Sequence, residues 1–159
     1  MNFGTKRVMN IHQSVLAPLF VIYSLSSFTA EKPKFLSLDY AKQIAGKADS
    51  FAKKKGWKIS IAIVNSEGNL LYFQRDTDAY SGSIESAIQK ARSSNAFQRP
   101  TSAFVDAVKQ GRIGIIGVKV IVALEGGIPL LLDGKHVGAI GISGAKSTED
   151  EEAAKAALE

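Results

Sequence analysis

The stretch that decides the fold is LEGGIPLLLDGKHVGAIGISGAKSTED, which covers Leu124–Asp150. Two apolar runs, Ile128–Leu132 and Val137–Ile142, flank the turn dipeptide Asp-Gly at 133–134. Asp-Gly between apolar runs is a strong signal for a β-hairpin, because both residues tolerate the positive φ angles of a tight turn. The stretch therefore predicts two antiparallel strands, followed by a helix that starts at Ser147.

The first 30 residues differ in composition from the rest of the chain. A basic start and an apolar run, Val15–Leu25, precede the first acidic residue, Glu31. This combination is typical of a secretory signal peptide, and the run is shorter than the roughly 20 residues that a membrane span needs. We predict a signal peptide at residues 1–30, a mature domain at residues 31–159, a periplasmic or secreted location, and no membrane span after cleavage. An uncleaved anchor and a packed N-terminal helix remain as alternatives.

The composition of the predicted mature domain limits its chemistry. The 159-residue chain has a formal net charge of +5 and no cysteine, and loss of the first 30 residues leaves +3, no methionine and one histidine, His136. A His-rich zinc or iron site therefore cannot be built within one protomer. An iron ligand has to be His136, a tyrosinate, a carboxylate or a less usual donor. The dense basic cluster, Lys53–Lys55, lacks interleaved aromatic residues, so nucleic-acid binding is not predicted.

The remaining periodicities complete an arrangement of helices and strands. In chain order we predict a helix over Leu38–Lys55, strands over Trp57–Val64 and Leu70–Gln74, a helix from Ser83 that stops at Pro100, a short helix from Thr101 to Val108, a strand over Lys119–Leu124, the hairpin, and a helix over Ser147–Leu158. Strands joined by tight turns are antiparallel. The sequence thus predicts an α+β fold with a five-stranded antiparallel sheet and flanking helices, of the profilin-like or PAS/GAF-like kind.

Motifs near the hairpin resemble catalytic or phosphate-binding sequences but lack the features that those sites need. Gly141–Ala145 has Ala where a nucleophile elbow ends in Gly, and no histidine follows Ser143. Gly144–Ser147 has the wrong spacing for a P-loop, and the glycines within the predicted strand do not open a helix as a dinucleotide fingerprint does. No carboxylates are paired at diagnostic spacing. The sequence favours a binding protein over an enzyme and leaves the question open.

Two corners combine residue types that suit ligand binding. The first contains Phe97, Arg99, Pro100 and Thr101, and the second contains Gly126, Gly127 and Pro129. A guanidinium such as that of Arg99 matches the geometry of a carboxylate, and paired glycines let a ligand or another backbone approach closely. A purely structural role for each corner is the alternative. His136 follows the hairpin turn, where it is either a metal ligand or an exposed side chain.

Four segments taken together resemble the GlcG/HbpS-like family of haem-binding proteins, whose domain also forms the C-terminal part of PduO-type corrinoid proteins. They are SIAIVNSEGNLLYFQRD (60–76), SGSIESAIQKARSSNAFQRPT (81–101), EGGIPLLLDGKHVGAIGISGA (125–145) and EDEEAAKAAL (149–158). The resemblance implies a profilin-like fold, assembly into homo-oligomers, and binding of haem or a related tetrapyrrole. By position, the two corners match the F-x-R-P-T and G-G-x-P corners of the family, except that Gln98 stands where a glycine is usual.

The residues and the resemblance together predict an exported haem- or tetrapyrrole-binding protein, with a role in haem or redox sensing or in uptake. The carboxylates of the ligand would face Arg99 and the glycine corner, and His136 is the candidate metal ligand. The alternative is a small-molecule enzyme or accessory factor in hydroxy-acid metabolism, with Glu125, Arg99 and Tyr80 as its polar groups.

Overall fold

The computed structural model describes Met1 and residues 35–159, so the predicted signal segment lies, apart from Met1, outside the described residues. The helices are α1 (Leu38–Lys55), α2 (Gly82–Phe97), α3 (Ser102–Lys109) and α4 (Ser147–Ala156), with a 3₁₀ turn at Ile113–Gly117. The strands are β1 (Ser60–Asn65), β2 (Leu70–Arg75), β3 (Gly127–Leu132) and β4 (Lys135–Ser143). No helix among the described residues is long and apolar enough to cross a membrane.

The four strands form one antiparallel sheet in the order β2-β1-β4-β3. The predicted α+β class, antiparallel sheet and flanking helices are therefore confirmed, whereas the prediction of five strands was wrong. Lys119–Leu124, the predicted third strand, has no regular structure. Its backbone groups bond elsewhere, since the Ile121 N–H donates to the Val118 carbonyl oxygen and the Val122 N–H donates to the Ser93 hydroxyl. The profilin-like assignment stays a prediction.

The predicted hairpin is present, and its turn has the geometry that the dipeptide favours. Asp133 and Gly134 have φ angles of 51° and 75°, as a type I′ turn requires. The twist of this turn matches that of the strands it joins. The turn therefore sets the pairing of β3 with β4.

The sheet is covered on both faces because its central strands are apolar on both sides. Ile61 and Ile63 of β1 face a core shared with α1 and α4, whereas Ala62 and Val64 face α2. The side chains on the α2 face are smaller, so this helix lies closer to the sheet. The core is thus divided into a larger half under α1 and α4 and a smaller half under α2.

The first helix has the bounds that the sequence predicts. The Ser37 hydroxyl accepts a hydrogen bond from the Tyr40 N–H over 3.2 Å, and Gly56 ends the helix in a left-handed conformation with φ of 75°. Thr101, where the sequence predicts the short helix to begin, is the residue before α3, and its side chain makes no capping hydrogen bond. Its hydroxyl is used in a contact between the two predicted corners.

Candidate functional site

The two predicted corners meet inside the domain through a pair of hydrogen bonds. The Thr101 N–H donates to the Gly127 carbonyl oxygen, and the Gly127 N–H donates to the Thr101 hydroxyl, each over 2.9 Å. Both residues are buried. Their polar groups satisfy one another and join the start of α3 to β3.

The glycine pair is explained by packing within the protein. Gly126 has a φ of 117°, and a Cβ atom there would lie 2.7 Å from the Ile142 carbonyl oxygen and 2.9 Å from Asp150 Cβ. A Cβ atom on Gly127 would lie 2.7 Å from Thr101 Cγ2. The close approach that these glycines permit is therefore made by the protein itself.

The other residues of the corners are divided between packing and the surface. Phe97 packs edge-on against Phe104, with ring centroids 5.2 Å apart. Arg99 is exposed, and its Nε donates to the Phe97 carbonyl oxygen over 3.3 Å. Pro100 is half-buried between the helices, and Pro129 lies on the edge strand β3. Arg99 is thus the member of the two corners that solvent or a ligand can reach most directly, since Pro129, like Pro100, is half-buried.

A buried ion pair lies directly behind the glycine corner, and the sequence analysis missed it. Lys90 Nζ lies 2.8 Å from Asp150 Oδ2 and donates to the Ile142 carbonyl oxygen over 2.9 Å. The other carboxylate oxygen, Oδ1, accepts a hydrogen bond from the Ala145 N–H. Each charged side chain is only 2% exposed. The available signal was the position of Lys90, three residues after Ala87 on the buried side of α2.

Burial dominates the electrostatics of Asp150. Desolvation raises the pKa of its carboxyl above the ordinary value, and the Lys90 ammonium and the Ala145 N–H offset this only in part. The pair links α2 to the end of β4 and to α4. Its geometry explains why Gly126 cannot carry a side chain.

A groove of about 290 Å³ lies between α1, the edge strand β3 and the end of α4. We call it the Tyr40 groove. Its principal lining residues are Tyr40, Ile44, Lys47, Pro129, Leu130 and Leu158. Its walls are largely apolar, with one phenol and one ammonium. It includes Pro129, one of the three residues of the second corner that the sequence predicts to bind ligand.

A second cavity, of about 440 Å³, lies at the C-terminal end of α2 beside the β1–β2 turn. We call it the His136 cavity. Its lining includes Ser66, Glu67, Gly68, Arg92, Asn95, Gln98 and His136. Nε2 of His136 and Oδ1 of Asn95 are buried and have no hydrogen-bond partner. The predicted metal ligand therefore lies in a cavity whose walls are polar and apolar in about equal measure.

The three groups of the enzyme alternative lie on different elements. Tyr80 precedes α2 and Arg99 follows it, so a 16-residue helix of about 24 Å separates them. Glu125 lies in a shallow depression with Thr148 and Glu151 of α4. In residues 35–159, no three His, Cys, Asp or Glu side chains are grouped in a way that could hold a metal ion.

A protein-family model described as "Haem degrading protein HbpS-like" matches residues 36–159. The chain belongs to the HbpS-like family. It is 33% identical to protein GlcG of Escherichia coli K12 over 108 residues, which are 68% of this chain and 81% of GlcG. This confirms the resemblance that the four segments indicated.

Solved structures of HbpS-like proteins share the fold. A crystal structure of HbpS has a TM-score of 0.73 and 30% identity, and the match covers 82% of this chain and 92% of HbpS. A crystal structure of a PduOC–haem complex has a TM-score of 0.71 and 27% identity, and the match covers 78% and 93% of the two chains. The second of these structures thus contains haem bound to a protein with the same fold.

Proposed function

We propose that this protein binds haem or a related tetrapyrrole, and that the Tyr40 groove is where it does so. The family description and the haem complex of PduOC support the ligand class. The observation that carries the location is the composition of the groove. Apolar walls beside one phenol and one ammonium suit a flat apolar macrocycle that carries an iron ion and carboxylates.

The residues of the groove match the parts of the ligand one by one. Ile44, Leu130 and Leu158 would contact the apolar macrocycle. Tyrosinate is a known type of ligand for haem iron, so Tyr40 would hold the iron, and the Lys47 ammonium would pair with a propionate. Bound haem would supply an iron centre for redox chemistry. The protein would contribute orientation, one oxygen ligand and partial exclusion of water.

His136 remains a predicted metal ligand with a weaker fit. Its Nε2 has no partner, which leaves that nitrogen available in chemical terms. The walls of its cavity are less apolar than those of the Tyr40 groove, however, and an apolar macrocycle would gain less from burial there. We therefore place the ligand in the Tyr40 groove and keep His136 as a variant in the test.

Haemin titration followed by the Soret band tests the proposal. We expect the wild type to shift the band at a stoichiometric amount of haemin, and Tyr40→Phe to weaken binding by about tenfold or more. Tyr80→Phe removes another exposed phenol outside the groove and should leave binding unchanged. No shift with the wild type would reject haem binding. A loss of binding in His136→Ala, with Tyr40→Phe unaffected, would move the site to the His136 cavity.

The family description also names haem degradation, and the same titration can detect it. A Soret band that decays with an added reductant, and not in its absence, would show turnover of the bound haem. A stable band would support a role in binding alone. The proposed sensing or uptake role then depends on which partner receives the haem.

We further propose that the protein is exported and works as a homo-oligomer. The observation that supports the homo-oligomer is an apolar strip between α3 and β3. It is formed by Ile113, Ile116, Val118 and Leu124, which are 47–60% exposed. No residue from 111 to 125 is buried in the protomer. A second copy would cover this surface, since large apolar patches rarely remain exposed.

Cell fractionation with an epitope at the C-terminus tests export, and a cytosolic protein would reject it.

A further inference from the structure

We propose that the His136 cavity is a separate binding site for a small hydroxylated anion, which places a hydroxyl group between Asn95 and His136 and its carboxylate or phosphate at Arg92. This site goes beyond the proposed haem function. It lies at the end of α2 beside the β1–β2 turn, whereas the Tyr40 groove lies between α1, β3 and α4.

A hydrogen bond to the Ser66 carbonyl oxygen fixes the orientation of the Asn95 amide. This orientation determines which amide atom has no hydrogen-bond partner. Asn95 Nδ2 donates to the Ser66 carbonyl oxygen over 3.2 Å. A flipped amide would place two acceptors against each other, so Oδ1 is the atom without a partner. Asn95 is only 7% exposed, and a buried acceptor without a donor costs free energy. A ligand that binds here should therefore place a hydrogen-bond donor next to Asn95 Oδ1.

His136 lines the same cavity, and its Nε2 is a second buried polar atom without a hydrogen-bond partner. An imidazole nitrogen donates or accepts according to its tautomer. A hydroxyl group is both a donor and an acceptor, so one hydroxyl can donate to Asn95 Oδ1 and accept from an Nε2–H. A methyl group satisfies neither atom, and a carboxylate cannot donate to Asn95 Oδ1. A hydroxyl group within reach of both atoms would therefore satisfy them, where a methyl group or a carboxylate would not.

The charge of the ligand follows from Arg92. Arg92 is exposed, and its Nε lies 3.4 Å from the Gly68 carbonyl oxygen, which directs the guanidinium along the β1–β2 turn. No carboxylate among the described residues lies within salt-bridge distance of it. A guanidinium recognises carboxylates and phosphates through paired N–H donors. Glu67 also lines the cavity, but its carboxylate accepts a hydrogen bond from Asn69 Nδ2 over 3.1 Å, so Arg92 is the charged group of this lining without a side-chain partner among the described residues. We infer that Arg92 binds the anionic end of the ligand.

Ligand entry requires movement of a side chain. Both unpaired atoms are shielded from solvent in this conformation. His136 is half-buried and Gln98 is exposed, so the imidazole and the Gln98 side chain are the groups free to rotate. Rotation of the imidazole towards the cavity would bring Nε2 to the ligand. Binding should consequently change the environment of His136.

Matched pairs of small molecules test the site in the full-length protein by NMR of the His136 imidazole, with His136→Ala to assign the signals. Lactate and glycerate should shift the imidazole signals, as should glycerol 3-phosphate if the site accepts phosphates. Propionate, which lacks the hydroxyl, and glycerol, which lacks the charge, should not. Arg92→Gln should weaken binding by about tenfold, whereas Arg112→Gln, the same change at another exposed arginine, should not.

Three results would overturn the inference. Equal binding of lactate and propionate would mean that Arg92 attracts any anion. Unchanged affinity in Arg92→Gln would place the ligand elsewhere. Unshifted imidazole signals with every probe would mean that the two polar atoms hold only a buried water. Haemin titration of Arg92→Gln separates the two proposals, because we expect this variant to bind haemin like the wild type.

Discussion

Gln98 has a backbone conformation that favours glycine. Its φ and ψ angles are 50° and 41°, in the left-handed region, and it ends α2 as the C-cap residue. Its N–H donates to the Asn95 carbonyl oxygen over 3.4 Å, as is usual at such a helix end. The position matches the one where the family resemblance implies a glycine. Gln98 is therefore strained by its own side chain.

We expect Gln98→Gly to raise the free energy of unfolding by about 0.5 kcal/mol, because relief of roughly 1 kcal/mol of left-handed strain exceeds the added entropy of the unfolded chain. Urea unfolding measures the change. Gln110→Gly is the control, since Gln110 is also a C-cap residue but has a φ of −81°. That variant should lose stability. An equal loss in both variants would show that Gln98 is not strained.

Lys90 and Asp150 form the buried pair on which three elements depend. Removal of one partner leaves the other charge buried without compensation, which costs about 3–5 kcal/mol. We expect Lys90→Met and Asp150→Leu each to lower the free energy of unfolding by about this amount. The double variant should be less destabilised than the sum, since it removes both charges. Additive losses in urea unfolding would contradict the coupling.

The raised pKa of Asp150 also predicts the direction in which the stability of the fold changes with pH. The folded state binds the proton of this carboxyl more tightly than the unfolded chain does. The stability that this difference contributes is full below the ordinary value of 3.8 and is lost as the pH rises through the raised folded-state pKa. Asp150→Asn should lack this component when urea unfolding is compared from acid to neutral pH. The same slope in wild type and variant would contradict it.

At the scale of elements, α2 lies close to β4 because small residues line the contact. A Cβ atom on Gly141 would lie 2.5 Å from the Ala91 backbone nitrogen and 3.0 Å from Ala91 Cα. Both neighbouring atoms belong to the helix backbone and cannot move aside alone. The Ser60 and Ser83 hydroxyls hydrogen-bond over 2.8 Å in the same interface. The position of α2, and with it the His136 cavity, therefore depends on this packing.

We expect Gly141→Ala to lower the free energy of unfolding by about 2–3 kcal/mol, because the added methyl group pushes α2 away from the sheet. The matched control is Gly46→Ala, which lies on the exposed side of α1 with nothing near its Cβ position. That variant should gain about 0.5–1 kcal/mol from helix propensity. Thermal or urea unfolding measures both changes. A neutral Gly141→Ala would show that the interface is loose.

At the scale of the whole molecule, the apolar strip is the surface that the protomer leaves uncovered. We expect light scattering to show an assembly larger than a monomer, and the double substitution Ile113→Glu, Ile116→Glu to dissociate it, because charges on both contacting copies would be buried without partners. Leu70→Glu, on the opposite sheet edge at β2, is the control and should leave the assembly intact. A wild-type monomer would reject the proposed homo-oligomer.

The sequence alone determined the local features of this protein. The helix over Leu38–Lys55 followed from regular apolar spacing, and the hairpin followed from Asp-Gly between apolar runs. These signals act over a few residues, so the chain carries them whatever the rest of the molecule does. The four family segments also sufficed to assign the family.

Tertiary structure decided how the residues are used. The apolar sequence of Lys119–Leu124 suits a strand, but its backbone groups are taken by a turn and by the Ser93 hydroxyl. Thr101 and Gly127 carried the marks of a binding corner, and in the fold they satisfy each other. Lys90 meets Asp150 across 60 residues of chain, and His136 meets Asn95 at one cavity. Such pairings depend on which elements pack together, and no local spacing encodes them.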